Sequence, residues 1–318
     1  MLVTTEHLEA VPARLKDLSY SSLLEFHSCP RRNQLNRMRV NQTRINSVTF
    51  SFGHVVGLGM QLSMQGKDWE TILFQCFLMW QVDLLAEEAR AKKSFFTAIQ
   101  AVEIFHRQKN SMQLSDGTKL SDYDLAYFND IPAVELSFRI DIIAGFAYRG
   151  FVDAILIHKV TGEYLVLEIK TTGSKEIDEA TYKNSAQALG YSIILDAVAK
   201  TTGHSSSYRV LYIVYKSSIS EFELLTFDKS FTKRADWIRD IIMDVNLIGY
   251  YNSQGVFPSR GESCYSFFRQ CQHFNLCQMS DKVLIDPVAI ALEDAAKIKV
   301  DYQINITMLD LINTQLGE

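Results

Sequence analysis

The stretch GFVDAILIHKVTGEYLVLEIKTT, residues 150–172, decides the fold of this chain. Two runs rich in Val, Ile and Leu flank Thr161-Gly162, a pair typical of a hairpin turn. Alternate side chains of a strand share a face, so Glu168 and Lys170 point the same way, and Asp153 on the partner strand joins them. The sequence therefore predicts a hairpin on which two carboxylates and one ammonium group converge.

Further strands and helices are predicted around this hairpin. The β-branched and aromatic runs AVELSFRIDI, YRVLYIVYK and EFELLTF predict strands at residues 133–142, 208–216 and 221–227. Apolar spacing predicts helices over much of residues 18–110, at about 179–200 and at 231–251, and the tail after Asp286 is also predicted to be helical. Strands joined through a crossover helix predict an α/β fold, a mixed sheet core flanked by helices. We expect three regions: a helical N-terminal region with the first cysteine (1–130), an α/β core that contains the hairpin (131–230), and C-terminal helices with a cysteine segment (231–318).

Composition limits the class of protein. The chain has 318 residues, of which 47% are hydrophobic and 22% charged, which excludes a disordered or fibrous protein. The net charge of -5 does not exclude a nuclease, because a nuclease site is itself built from carboxylates. No N-terminal targeting pattern and no long apolar run is present, which predicts a cytoplasmic protein without membrane contact, in the host cytoplasm if it is phage-encoded.

Charged residues within an apolar strand need a compensating charge nearby. Glu168 and Lys170 interrupt the run YLVLEIKT, where burying a charge is costly. A divalent cation compensates carboxylates, and hard oxygen ligands favour Mg²⁺ or Mn²⁺. Gln187 and Tyr191 follow at i and i+4, so one helix face carries both and can face the same site.

These motifs resemble those of a known family. The patterns G-x-x-D (150–153), E-x-K (168–170) and Q-x-x-x-Y (187–191) resemble the PD-(D/E)XK nuclease superfamily, in particular its RecB-like branch, which includes the AddB nuclease domain and the CRISPR adaptation nucleases. The resemblance implies a restriction-endonuclease-like core and hydrolysis of DNA phosphodiester bonds. It also implies roles for individual residues: metal ligation by Asp153, Glu168 and the Ile169 carbonyl, positioning or activation of water by Lys170, a further carboxylate at Glu135, and DNA or site contacts from Gln187 and Tyr191.

The chain departs from this branch on an early helix. RecB-like nucleases commonly carry G-x-x-x-H there, with the histidine as another metal ligand, whereas Gly53 is followed four positions later by Gly57. His54 is nearby but is displaced by one turn, and we expect it to be a structural histidine. Asp153, Glu168 and a backbone carbonyl suffice for one ion, so both one-ion and two-ion sites stay open.

Cysteines suggest a second site. Cys29 and the set Cys264-x6-Cys271-x5-Cys277 resemble the iron-sulfur staple of AddB and the CRISPR adaptation nucleases, which implies a 4Fe-4S cluster tying the two ends of the chain together. Tetrahedral zinc, with His273 as an available ligand, is an alternative, and reduced buried cysteines are a third. Cys76 lies on the apolar face of a predicted helix, where we expect core packing.

Basic residues follow Cys29 in a cluster. Contact with DNA phosphates and a solvated helix face are both open interpretations of this group, which comprises Arg31, Arg32, Arg37, Arg39 and Arg44.

The sequence thus predicts a metal-dependent deoxyribonuclease. By resemblance it is an exonuclease acting on single-stranded DNA or DNA ends in recombination, repair or phage DNA metabolism, with DNA and a helicase or annealing protein as expected partners. One alternative is a catalytically inactive DNA-binding or assembly subunit that keeps the fold. Another, a metal-independent hydrolase using Asp153 and Glu168 as an acid and base pair, leaves Lys170 without a role.

Overall fold

The computed structural model describes residues 3–38, 47–80, 93–266, 269–297 and 300–316. The chain divides into two compact units, and each is built from separated segments. The first unit comprises residues 1–44, 137–150 and 235–318, and the second unit comprises residues 45–136 and 151–234.

The helices, numbered in chain order, are α1 (Thr5–Glu9), α2 (Ala13–Lys16), α3 (Tyr20–Ser28), α4 (Pro30–Met38), α5 (Val48–Met64), α6 (Trp69–Met79), α7 (Phe95–Gln108), α8 (Glu179–Lys183), α9 (Ala186–Thr202), α10 (Phe231–Ser253), α11 (Asp281–Leu284), α12 (Pro287–Ala295) and α13 (Met308–Leu316). The strands are β1 (Asp17–Leu18), β2 (Tyr123–Leu125), β3 (Tyr127–Phe128), β4 (Ile131–Pro132), β5 (Val134–Asp141), β6 (Ala147–His158), β7 (Tyr164–Thr172), β8 (Ser206–Lys216), β9 (Glu221–Asp228), β10 (Tyr265–Ser266), β11 (Arg269–Gln270) and β12 (Ile304–Thr307).

The second unit contains a mixed sheet. Strands β6 and β7 form the predicted hairpin and pair antiparallel, with Ala154 opposite Leu167. Strand β8 returns parallel to β7 after helix α9, which places Tyr212 beside Glu168. Strand β9 then pairs antiparallel with β8. The predicted α/β class, with a mixed sheet and flanking helices, is confirmed.

The alternation of residues in β7 explains how the sheet is buried. Leu165, Leu167 and Ile169 belong to an apolar core that α5, α6 and α7 share with the sheet. The intervening residues, Val166, Glu168 and Lys170, face the opposite side, as the period of two requires. Helix α9 packs against β7 and β8. The sheet is therefore covered on both faces, and the polar residues of β7 lie on the face away from the α5 core.

Two parts of the chain differ from the prediction. The helix predicted at about 179–200 is divided into α8 and α9, because the Ser185 side chain accepts a hydrogen bond from the Ala188 N–H and caps a new helix. The tail predicted to be helical also contains strand β12, which pairs parallel with β5 in the first unit. Strand β12 pairs with residues about 165 positions earlier in the chain, and a contact between such distant segments leaves no periodic pattern in the local sequence.

The first unit combines short strand pairs with helices. Besides the pair of β12 and β5, β1 pairs parallel with the start of β6, with Leu18 beside Tyr148. Tyr148 packs edge-on against Trp237 of α10, with ring centroids 5.2 Å apart. Among the helices of the described ranges, none is long and apolar enough to cross a bilayer.

Candidate active site

Asp153, Glu168 and Lys170 come together on one side of the second unit's sheet. The register that pairs Ala154 with Leu167 places Asp153 beside Glu168 one step further along the two strands. One carboxylate oxygen of Asp153 (Oδ2) accepts a hydrogen bond of 2.7 Å from the Ile169 N–H. The Lys170 Nζ donates to the Glu168 Oε1 at 2.5 Å. Strand register alone thus brings the three charged groups into one cluster.

Burial disfavours the ionised form of both carboxyl groups. Glu168 is only 1% exposed, and burial raises its pKa although the neighbouring Lys170 ammonium opposes the shift. Burial also raises the pKa of Asp153 to about 8, with a further contribution from the charge of Glu168. Both carboxyl groups therefore need a nearby positive charge in order to stay ionised at neutral pH.

Glu168 carries a polar atom that the protein leaves unsatisfied. Its Oε2 is buried and has no hydrogen-bond partner within the described part of the chain. An orphaned carboxylate oxygen beside a second carboxylate fits a divalent cation, which Asp153, Glu168 and the Ile169 carbonyl would hold. No group of three or more His, Cys, Asp or Glu side chains in the described ranges forms a ready metal site. A cation here would therefore depend on main-chain oxygen and water in addition to the two carboxylates, as Mg²⁺ commonly does.

Helix α9 connects to the cluster through two polar side chains. The Lys170 Nζ donates to the Gln187 Oε1 at 3.2 Å, and the Gln187 Nε2 donates to the Tyr191 hydroxyl at 2.8 Å. Tyr191 is buried, so this chain of hydrogen bonds is anchored inside the unit. The i and i+4 residues therefore fix the ammonium position from the helix side.

Gln61 of α5 is a site residue that sequence reasoning missed. It is 4% exposed, and its Nε2 donates to the Glu135 Oε1 at 2.8 Å and to the Asp153 carbonyl at 3.1 Å. Gln61 lies four positions after Gly57, so the glycine spacing of the resembled motif is present with glutamine in the histidine position. Measuring the spacing from Gly57 rather than Gly53 would have found it. His54, expected to be a structural histidine, is instead exposed, with its ring 6.4 Å from that of Phe50.

Glu135 has an unusual backbone conformation. Its φ of 48° lies in the left-handed region, which is uncommon for a residue other than glycine. Its charge contributes to the raised pKa values of Asp153 and Glu168, so the side chain lies close to both. A strained residue held by Gln61 beside two buried carboxylates is typical of a functional site.

The four cysteines of the predicted second site lie in the first unit. Burial raises the pKa of the Cys277 thiol, and the charges of Cys29, Cys264 and Cys271 raise it further. Cys29, Cys264 and Cys271 therefore each lie near Cys277. The Cys271 N–H donates to the Cys264 carbonyl at 2.8 Å, and all four are free thiols. Their arrangement in the described residues is not that of a formed metal site.

His273 and Cys76 each have defined surroundings in the structure. His273 is buried, and its Nε2 lies 2.6 Å from the Asn36 Oδ1, so this nitrogen is engaged by an amide. Cys76 is fully buried in the core of the second unit, where burial raises its pKa to about 11, in agreement with a packing role.

The basic cluster after Cys29 is partly structural. Arg31 is buried and donates to the carboxylate of Asp281 and, at 3.2 Å, to the Cys277 carbonyl. Arg37 donates to the Asp17 carbonyl. Arg39 and Arg44 lie outside the described residues. Arg31 therefore supports the cysteine segment and is not placed on a solvated helix face.

Comparison with known proteins gives a family and several similar solved structures. The family model described as the PD-(D/E)XK nuclease superfamily matches residues 17–278. A search of curated proteins finds no match. A crystal structure of a "Putative exonuclease" from Eubacterium rectale is 13% identical and has a TM-score of 0.47, covering 94% of this chain and 100% of that chain. The structure of SSO0001 is also 13% identical, with a TM-score of 0.26, and covers 70% of this chain and 85% of that one.

Proposed function

Since this chain belongs to the PD-(D/E)XK nuclease superfamily, we propose that it is a metal-dependent deoxyribonuclease whose site is the cluster of Asp153, Glu168 and Lys170. The observation that carries the proposal is the buried Glu168 Oε2, which has no hydrogen-bond partner in the described residues while Asp153 lies beside it. A protein that places the buried Glu168 carboxylate beside a second carboxylate gains little stability from the pair, because the desolvation cost is large. A catalytic use explains why they are kept.

The residues of the cluster have distinct proposed tasks. Asp153, Glu168 and the Ile169 carbonyl would hold Mg²⁺ or Mn²⁺, and a bound ion supplies positive charge against the negative charge that develops on the phosphate. The Ile169 N–H fixes Asp153 Oδ2, which orients the remaining oxygen of that carboxylate. Gln61 holds Glu135 beside the Asp153 carbonyl.

Lys170 is the residue that would contact the reacting groups. The Glu168 carboxylate and the Gln187 amide oxygen hold its ammonium group in place, and its side chain remains 38% exposed. An ammonium group at a solvent-accessible position beside the carboxylates orients an attacking water and stabilises negative charge in the transition state. Tyr191 supports this position through Gln187.

Finer features of the function rest on the resemblance to the RecB-like branch. The first is exonuclease activity on single-stranded DNA or DNA ends. The second is a role in recombination, repair or phage DNA metabolism, and the third is a partnership with a helicase or an annealing protein. Gln61 in the histidine position favours one ion over two, because its Nε2 faces Glu135 and the Asp153 carbonyl as a hydrogen-bond donor, and an amide N–H does not bind a cation.

The test is cleavage of end-labelled linear DNA, single- and double-stranded, beside circular DNA. We expect degradation with Mg²⁺ or Mn²⁺, no degradation with EDTA, and loss of degradation in Lys170→Ala. The matched control is Lys175→Ala, an exposed lysine in the loop after β7. DNA binding without cleavage in the wild-type protein would instead favour the inactive DNA-binding subunit. Cleavage of circular DNA would contradict the exonuclease assignment alone.

We infer that the four cysteines of the first unit hold a 4Fe-4S cluster with a structural role. Four free thiols gathered from Cys29 and the segment 264–277 form a donor set that suits either such a cluster or zinc. The test is metal analysis and the absorbance spectrum of protein purified without oxygen. Iron with broad visible absorbance supports the cluster, zinc supports the alternative, and neither metal supports reduced cysteines.

A further inference from the structure

Strand β9 leaves one edge of the second unit's sheet open. It pairs with β8, and no backbone hydrogen bond from any other described segment reaches residues 221–228. An open edge presents a row of backbone donors and acceptors, which proteins usually cover or blunt. Here the edge lies along a groove of about 630 Å³.

The groove has an apolar side. Its lining includes Ile104 at the end of α7, Met112 in the following loop, and Phe222 and Leu224 of β9. Phe222 and Leu224 both pack against the main core of the unit, and the Phe222 ring lies 5.7 Å from that of Phe105. These residues therefore mark the face of β9 that is shared with α7.

The opposite face of β9 is acidic at the start of the strand, at Glu221 and Glu223, and apolar further along, at Leu225 and Phe227. Glu223 pairs with Val214, which in turn pairs with Lys170, so Glu223 shares the face of Lys170. Glu221 and Glu223 are the charged residues that line the groove, and the Glu221 side chain is 65% exposed. Lys216 lies beneath them, with its Nζ 2.9 Å from Glu223 and 3.9 Å from Glu221, and its side chain is only 12% exposed. The two carboxylates therefore lie at the surface, and the Lys216 ammonium group that pairs with them lies beneath them.

We propose that the edge of β9 binds an extended segment of a partner protein in which apolar and basic residues alternate. Residues directly opposite one another in paired strands place their side chains on the same face. A strand added to β9 would therefore bring every second side chain to Phe222 and Leu224 and the intervening ones to Glu221 and Glu223. Backbone hydrogen bonds supply affinity and the alternation supplies specificity, as in other cases of strand addition.

A second copy of this chain is a poorer occupant. The sequence of β9, EFELLTFD, contains three acids and no base. Antiparallel pairing of two β9 strands about their centre places Glu221 opposite Asp228 at each end, and like charges in directly opposite positions are destabilising. The charge of the edge therefore favours a basic partner over self-association.

The test uses the full chain and three fluorescein-labelled decapeptides. One alternates Val and Lys, one contains the same residues as a block of Val followed by a block of Lys, and one alternates Val and Glu. We expect the alternating Val-Lys peptide to bind roughly tenfold more tightly than either of the others by fluorescence anisotropy. Equal binding of the alternating and block peptides would show charge attraction alone and overturn the proposal.

Variants of the two carboxylates sharpen this test. Glu221→Gln/Glu223→Gln is expected to weaken binding of the alternating Val-Lys peptide about three- to tenfold, as two exposed charge pairs allow. The control Glu70→Gln/Glu176→Gln changes the charge equally at two other exposed positions of the second unit and should leave binding unchanged. Equal loss in both variants would contradict the proposed site.

Hydrogen exchange locates the bound peptide independently of any variant. Saturating Val-Lys peptide should slow amide exchange in residues 221–228 and leave β6 unchanged, because only an edge strand gains new hydrogen bonds. Protection elsewhere without protection of β9 would overturn the proposal. So would sedimentation showing a dimer in which β9 is already protected, because the occupant would then be a second copy.

Discussion

The cluster of Asp153, Glu168 and Lys170 in the second unit, called the acidic cluster below, is formed in a different way from the four cysteines of the first unit. Asp153, Glu168 and Lys170 lie on paired strands, and each accepts or donates a hydrogen bond within the site. The three cysteines of the C-terminal segment lie in or beside short turns, and Cys29 ends helix α3. Regular structure thus preorganises the acidic cluster, whereas thiols carried on short turns would take a defined geometry only with a metal bound to them.

The largest expected effect tests whether the acidic cluster is catalytic. Lys170→Ala should lower the rate of Mg²⁺-dependent DNA cleavage by about 10²–10³-fold, because it removes a fixed positive charge from the site. The free energy of unfolding should also fall, because the variant leaves the buried Glu168 carboxylate without its ion-pair partner. Initial rates and urea denaturation measure the two quantities.

A second substitution at Lys170 tests preorganisation. Lys170→Arg keeps the charge but not the shape of an ammonium group, so cleavage should stay well below that of the wild type. Wild-type rates in both variants would mean that the cluster is only a buried structural network.

The second-largest effect tests whether the four cysteines, unlike the acidic cluster, need a bound metal for their structure. Cys277→Ser should lower the bound iron and reduce the free energy of unfolding by about 3–4 kcal/mol, the linkage expected for a ligand present at roughly 100–1,000 times its Kd. Metal analysis and chemical denaturation of anaerobic samples measure this. Cys76→Ala, in the core of the second unit, is the control and should leave the iron content unchanged. A similar loss of iron in both variants would remove the distinction between the two kinds of cysteine.

The third effect concerns Gln61 and the number of ions. Gln61→Ala should lower cleavage about 10–100-fold, because residues that orient metal ligands commonly contribute that much. Gln61→His should support cleavage at lower Mn²⁺ concentration, because a neutral imidazole offers a nitrogen lone pair where the Gln61 amide nitrogen offers only N–H donors. Gln65→Ala, one turn further along, is the control. The cleavage rate measured at increasing Mn²⁺ concentration gives both the maximal rate and the Mn²⁺ requirement of each variant. Identical curves for all variants would show that Gln61 is not part of the site.

The smallest effect is a pH dependence in the first unit. A hydrogen bond of 2.7 Å to Asp244 raises the pKa of His27, two residues before Cys29, above its usual 6.5. A pKa raised by folding contributes stability that is fully present below pH 6.5 and is lost as the pH rises through the folded-state value. His27 is half-exposed, so we expect less than about 1 kcal/mol.

Urea midpoints at pH 6 and pH 8 measure this loss. His27→Gln should reduce the difference between the two midpoints, and an unchanged difference would assign the pH dependence to other groups.

The hairpin could be predicted from the sequence because its signals are local. Thr161-Gly162 marks a turn, and alternation within residues 163–171 places Glu168 and Lys170 on one face. The structure brings both side chains to Asp153 as the alternation indicated. Strand β12 could not be predicted in this way, because four residues gain their strand conformation only from pairing with β5.

The remainder of the candidate site depends on tertiary packing. Gln61 reaches Glu135 and Asp153 from a different segment, and its spacing from Gly57 marks the position but does not show which groups the amide contacts. The left-handed backbone of Glu135 is likewise invisible in a run that reads as a regular strand. Burial of Glu168, by contrast, was foreseeable from the apolar residues on either side of it.

The segmented composition of the first unit sets an order of events during synthesis. Residues 235–318 leave the ribosome only after all of the second unit has been made. Cys29 is translated 235 residues before Cys264, which at bacterial elongation rates corresponds to about 10–50 s. The acidic cluster therefore has time to fold on the nascent chain, whereas the four thiols meet only as translation ends, and loading of any cluster follows translation.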